Sequence, residues 1–161
     1  MNHETLNGFD AVWDRVLCAD GSPAQGNTPE TEEMRMGRFM DGEAQSEAAY
    51  RMLCRRWQQN RCGAVFSRIA REEAEHMTRL QAAYYLVTGD SYTPKKPEPV
   101  ETSLPEALRA MWLGENAAAS AYRTAAETAE NPAIAEMYRC LAEDEARHAM
   151  DLFTMIRAFM V

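Results

Sequence analysis

Laid on itself with an offset of 72 positions, the interval from His76 to His148, the chain matches at polar residues as well as packing residues. Gly42 and Glu43 fall on Gly114 and Glu115, Tyr50 and Arg51 on Tyr122 and Arg123, and Ala70 on Ala142. Glu73 and Ala74 fall on Glu145 and Ala146, and Leu80 on Leu152. A hairpin duplicated for packing alone would keep its apolar positions best. Here each half keeps two glutamates and a histidine at identical offsets, so the fold must bring two copies of one polar set into related places.

Helix punctuation supplies the frame. Thr28-Pro29 reads as the cap and first residue of a helix that runs to about Asn60 and stops in the turn Asn60-Arg61-Cys62-Gly63. A second helix is expected from about Ala64 to Thr88, ended by Gly89. Ser103 to Glu106 has the spacing of a capping box and should open a third helix that reaches about Ala129. Asn131-Pro132 opens a fourth, which runs nearly to the C-terminus. Short links make hairpins of the first two and of the last two helices. The proline-rich stretch from Ser91 to Thr102 is long enough to cross the bundle, so residues 28–161 are expected to form one all-α four-helix bundle. In the extension over 1–27, Leu6, Phe9, Trp13, Val16 and Leu17 have helical spacing and predict a short extra helix.

The inward stripe of each helix is interrupted by ionisable groups. On the second it reads Phe66, Ile69, Glu73, His76, Leu80, Val87; on the fourth, Tyr138, Leu141, Glu145, His148, Leu152. The first helix offers Met36, Met40, Glu43, Tyr50 and Trp57, and the third Leu108, Trp112, Glu115 and Tyr122. Four carboxylates buried together without compensation would cost more than a domain's whole stability of roughly 5–15 kcal/mol. Two divalent cations balance four ionised glutamates charge for charge, and neutral imidazoles complete the coordination without changing that balance. The third histidine, His3, is remote from the motifs.

Other classes lose support from composition. A net charge of −8 repels phosphate backbones and anionic headgroups, so neither nucleic acid nor a membrane surface is expected as a partner. No targeting segment or long apolar run is legible, which makes a cytoplasmic location the default expectation. Cys18, Cys54, Cys62 and Cys140 form no C-x-x-C pair and are read as reduced thiols.

With Glu43 and Glu115 each seven residues before a tyrosine and two Glu-x-x-His motifs in register, the stretch from Met34 to Phe159 resembles the ferritin-like di-iron carboxylate superfamily. Within it, the motif order is most similar to rubrerythrins and bacterioferritins. The resemblance implies two hairpins joined by a crossover, with two iron ions held by Glu43, Glu73, His76, Glu115, Glu145 and His148; manganese and zinc are alternatives. Glu73 and Glu145 would bridge the ions, and Glu43 with His76 and Glu115 with His148 would each complete one position. The segment Asp144-Glu145-x-Arg147-His148 is similar to one in the small subunit of ribonucleotide reductase and in bacterial di-iron monooxygenases. By that likeness Asp144 would hold His76 and Glu72 would hold His148, with Tyr50 and Tyr122 on ligand carboxylates.

The implied function is reduction of peroxide or dioxygen by a homodimer, with a rubredoxin-like electron donor. Iron oxidation and storage is the alternative, and hydroxylation of an organic substrate a third. The departures from the resemblance are specific. Ala118 stands where rubrerythrins carry a further glutamate, for which Glu47 is the candidate substitute, and no rubredoxin-type cysteine pairs are present. Ala74 replaces the haem-ligating methionine of bacterioferritins, so no haem is expected there. The chain ends 13 residues after His148, short of the fifth helix of ferritin cages.

Overall fold

The computed structural model describes residues 30–59, 61–99 and 103–159, and these are built from helices, turns and extended links without a strand among them. Four long helices run in the order α1 Glu32–Arg56, α2 Arg61–Thr88, α3 Leu104–Thr128 and α4 Pro132–Ala158. The extra helix expected over residues 1–27, the Thr28-Pro29 cap, His3 and Cys18 lie outside the described residues.

Among the described residues the cap of α1 is Thr31, whose side chain accepts from the Met34 N–H. Glu32 and Glu33 follow it in the first turn, where carboxylates complement the helix dipole. The first helix ends at Arg56, a turn earlier than the sequence suggested, with the Trp57 N–H closing on the Leu53 carbonyl. Arg61, Cys62 and Gly63 therefore belong to α2 rather than to the turn. Gly63 has a packing role: a Cβ there would lie 2.8 Å from the Trp57 carbonyl oxygen and 2.9 Å from the Gln58 Cα. The other expected ends hold. Gly89 adopts φ +79° at the end of α2, Glu106 accepts from both the N–H and the hydroxyl of Ser103, and Asn131 caps α4.

The helices form two hairpins, α1 with α2 and α3 with α4, which meet along α2 and α4. Side-chain pairs fix the directions. Arg68 with Asp151, Glu72 with His148 and His76 with Asp144 make α2 antiparallel to α4. Glu43 with Tyr122 and Tyr50 with Glu115 make α1 antiparallel to α3. The chain from Gly89 to Ser103 must therefore travel the length of the bundle, about 42 Å for a helix of 28 residues. Fifteen residues cover at most about 50 Å when fully extended, so the link has little slack.

That link is tied to α1 by two side chains one turn apart. Asp41 accepts from the Lys95 N–H at 2.8 Å and the Tyr92 hydroxyl at 3.1 Å. Gln45, buried, accepts from the Glu98 N–H at 2.7 Å and donates to its carbonyl at 3.0 Å, as a neighbouring strand would. Gln45→Ala leaves both backbone groups without that partner and is expected to cost about 1–3 kcal/mol. Urea unfolding of the purified variant checks this.

The core is a continuous apolar seam from Met36 and Phe39 through Tyr50, Phe66, Ile69, Met111, Tyr122 and Leu141. Two expectations for the stripe need correction. Val87 is 46% exposed, because the last turn of α2 carries Tyr85, Leu86 and Val87 to the surface. Trp57 and Trp112 pack only against the margin of the core, Trp112 with its ring 6.1 Å from that of Phe153. Cys54, Cys62 and Cys140 are free thiols, and no helix among the described residues is long and apolar enough to cross a membrane.

Candidate metal centre

Helical phase alone delivers six ionisable side chains to the middle of this core. Glu43 on α1, Glu73 and His76 on α2, Glu115 on α3, and Glu145 and His148 on α4 are all buried. They form two overlapping groups, Glu43, Glu73, His76 and Glu145, and Glu73, Glu115, Glu145 and His148. Within each group the candidate ligand atoms lie within 4.8 Å of one another. Glu73 and Glu145 are common to both, as the internal repeat requires when α2 and α4 lie at its centre.

The two imidazoles are arranged alike, with ring centroids 5.7 Å apart. His76 turns Nδ1 inward, 3.0 Å from Glu145 and 3.4 Å from Glu43. Nδ1 of His148 lies 3.1 Å from Glu73, 3.3 Å from Glu145 and 3.6 Å from Glu115. Each Nε2 points outward to an acid on the opposite hairpin: Asp144 at 3.3 Å from His76, Glu72 at 2.7 Å from His148. A proton on Nε2 shared with a carboxylate leaves the Nδ1 lone pair facing the interior. Arg147 donates to both acids, at 2.7 Å to Asp144 and 3.3 Å to Glu72, and Arg68 donates to Glu72 at 2.8 Å. Burial disfavours the Glu72 charge, yet the hydrogen bonds from His148 and Arg68 hold its carboxyl below the usual range.

Two tyrosines cross between the hairpins. The Tyr50 hydroxyl donates to Glu115, and that of Tyr122 donates to Glu43. Both phenols are fully buried, and burial followed by the charge of the adjoining glutamate raises their pKa values well above the ordinary one. They remain protonated donors that hold the outer side of each glutamate.

Despite these contacts, Glu43 Oε2, Glu73 Oε1, His76 Nδ1, Glu145 Oε1 and His148 Nδ1 are buried without an aligned hydrogen-bond partner. Orphaned polar atoms are rare in a native core and call for a reason. Here the orphans are oxygen and imidazole nitrogen atoms converging on one interior, the donor set that suits a first-row transition metal, so the residues fit bound metal.

Without cations the cluster retains protons. Burial and the charge of Glu145 raise Glu73 well above the usual carboxylate range and push Glu115 up to about 8. Burial opposes the charge of Glu145 too, but the adjoining Glu115 carboxyl and both imidazoles beside it keep it low. For His76, burial works against protonation and the Glu43 and Glu145 carboxylates overcome it, pushing the imidazole up to about 12.

Glu47 is not part of the cluster. One turn beyond Glu43, its side chain is 26% exposed and pairs with Arg51 at 2.6 Å. Ala118 is fully buried, so the described site contains four glutamates and no fifth carboxylate. Sequence reasoning missed Gln45 and Asp41, which clamp the crossover, and the direction in which each tyrosine crosses. The i,i+4 spacing of Asp41 and Gln45 places both on one face of α1, but nothing in the sequence says that the proline-rich link crosses that face.

Residues 106–161 match the family model for rubrerythrin. The match spans α3 and α4 with Glu115, Glu145 and His148, and it is consistent with the ferritin-like di-iron carboxylate superfamily. The α1–α2 hairpin repeats these motifs at the 72-position offset. No curated protein matches the chain.

Proposed function

We propose that this chain, which carries a rubrerythrin-family match over residues 106–161, is a di-iron oxidoreductase that reduces hydrogen peroxide or dioxygen. One observation carries the reading. Ligand atoms without hydrogen-bond partners converge from α1, α2 and α4, joined by Glu115 from α3, in two groups that share Glu73 and Glu145.

Glu73 and Glu145, common to both groups, would be shared between two ions, while Glu43 with His76 and Glu115 with His148 would complete one position each. Two ferrous ions held there supply both electrons needed to cleave an O–O bond, with water as the product from peroxide. Tyr50 and Tyr122 hold Glu115 and Glu43 in place from outside the cluster. Glu72 and Asp144 fix the imidazole tautomers, and the apolar residues Phe66, Ile69, Leu80, Leu141 and Leu152 keep bulk water from the interior. Electrons return from a separate one-electron donor, for which a rubredoxin-like protein is the proposed partner.

Anaerobic loading with ferrous iron, followed by peroxide and dioxygen turnover with excess reductant, tests the reading. Rapid catalytic loss of peroxide or dioxygen from a small oligomer is expected. A large shell that takes up many irons per chain without catalytic turnover would replace this reading with iron storage.

The outer acids give a graded prediction. Glu72→Gln and Asp144→Asn are each expected to weaken metal retention by roughly 10–100-fold, because an amide supports the imidazole tautomer less well than a carboxylate. Glu72→Gln should be the larger, since Glu72 lies at 2.7 Å from its histidine and Asp144 at 3.3 Å. Competition against a chelator measures both, and unchanged affinity would make these residues ordinary surface charges.

A further inference from the structure

The internal repeat breaks at one aromatic pair that the cluster does not use. Phe66 on α2 and Tyr138 on α4 are repeat mates, both fully buried. Each lies beside a tyrosine that donates to a cluster glutamate: the Tyr50 and Phe66 rings are 6.0 Å apart, those of Tyr122 and Tyr138 5.9 Å. On the first side the contact ends in a phenyl ring. On the second, the Tyr138 hydroxyl donates to Glu32 in the first turn of α1.

Packing alone does not call for that hydroxyl, since its mate position is filled by phenylalanine, and a buried phenol needs a polar partner. The chain provides one from the other hairpin. The Glu32 side chain is 25% exposed and also pairs with Arg35 at 3.2 Å. Phe39 lies against both tyrosines, with ring centroids 4.2 Å from Tyr122 and 5.4 Å from Tyr138. A continuous line of rings thus joins Glu43 to the surface at the start of α1, and both hydroxyls on it have their own carboxylate acceptors. A phenol that loses an electron becomes a strong acid, so it is oxidised readily only where a base stands ready for the proton.

We propose that Tyr138, with Glu32 as its proton acceptor, is the outer member of a one-electron relay that carries oxidising equivalents from the carboxylate centre to the surface at the start of α1. The proposal rests on the peroxide-reacting centre described above. In the relay step Tyr138 gives one electron to oxidised Tyr122 and its hydroxyl proton to Glu32, while Tyr122 regains a proton from Glu43 and is again a closed-shell phenol. The electron that Tyr122 lost earlier went to the centre oxidised by peroxide. An external one-electron reductant such as ascorbate then returns an electron to Tyr138, and Glu32 returns the proton.

Iron-loaded protein mixed with peroxide in the absence of reductant and freeze-quenched for electron paramagnetic resonance tests the relay, with iron content and peroxide consumption measured on the same samples. A tyrosyl signal is expected in the parent. Tyr138→Phe should change its line shape, because the unpaired electron stays on Tyr122, and should slow its reduction by ascorbate several-fold. Glu32→Gln keeps an acceptor for the phenol but removes the base, and should also reduce the Tyr138 signal and slow its turnover. Iron content should match the parent in both variants, since neither residue touches the cluster, while peroxide consumption sustained by ascorbate should fall along with the slower reduction of the radical. If the parent consumes peroxide without a tyrosyl signal, or both variants reproduce the parent's signal and ascorbate rate, the relay is wrong while the centre's reading stands. If fully iron-loaded parent consumes no peroxide, that reading falls and the relay with it.

Discussion

Glu43→Ala protein purified from iron-supplemented cells is expected to hold about one iron per chain where the parent holds about two, whereas Glu47→Ala keeps both. The two glutamates are one turn apart on α1. Only Glu43 reaches the cluster, where His76 Nδ1 lies 3.4 Å away and the Tyr122 hydroxyl donates to it. Glu47 faces solvent and Arg51. By the proposed assignment, removing Glu43 would take one carboxylate from the group around His76 and leave the group of Glu73, Glu115, Glu145 and His148 intact. The same change withdraws one charge from a crowded interior, so metal-free Glu43→Ala should be no less stable than the metal-free parent. Metal stoichiometry on both variants decides the assignment. Loss of a metal from Glu47→Ala with both retained in Glu43→Ala would overturn it.

The metal-free and metal-loaded forms should respond to pH with opposite signs. In the metal-free protein Glu115, raised by burial and by the Glu145 charge from 4.5 to about 8, binds its proton more tightly folded than unfolded. Its stabilising contribution is complete below pH 4.5 and lost as pH rises through about 8. His76 acts in the same direction. Although burial lowers its pKa, the Glu43 and Glu145 carboxylates raise it from 6.5 to about 12, so its contribution is complete below 6.5 and lost toward 12. For Glu115 alone the change is on the order of 3–5 kcal/mol, and at roughly 2–4 °C per kcal/mol for a chain of this size the melting temperature should fall by on the order of 10 °C. Metal binding requires the same groups to shed protons, so the loaded form should gain stability over that range. Melting curves of both forms across the series would show diverging slopes; parallel slopes would mean that these protons and the metals do not compete for one site.

The polar cluster was legible because its six members stand at inward positions of four periodic segments, where solvated charges do not belong, and because two halves agree on them. The four helices were legible from caps and prolines, with errors at the turn between α1 and α2, where Trp57 closes α1 a turn early and Arg61, Cys62 and Gly63 already belong to α2. The clamp at Asp41 and Gln45 was not legible. A short polar side chain on a helix looks the same in sequence whether it faces water or a crossing strand of chain, and only the stretched path of the link brings residues 92–98 to it.

What the sequence determined by itself is therefore the local part: helix boundaries within a turn, the inward phase of each residue, and the duplication that places two glutamates and one histidine in each half. These follow from a period of 3.6 residues and from capping chemistry, which act over a few neighbours. The tertiary structure decided which groups meet across the hairpins: His76 with Asp144, His148 with Glu72, Tyr50 with Glu115, Tyr122 with Glu43, and Tyr138 with Glu32. Such pairs depend on the relative rotation and axial shift of whole helices. Those are set by close packing of the entire core and are not encoded in any one segment.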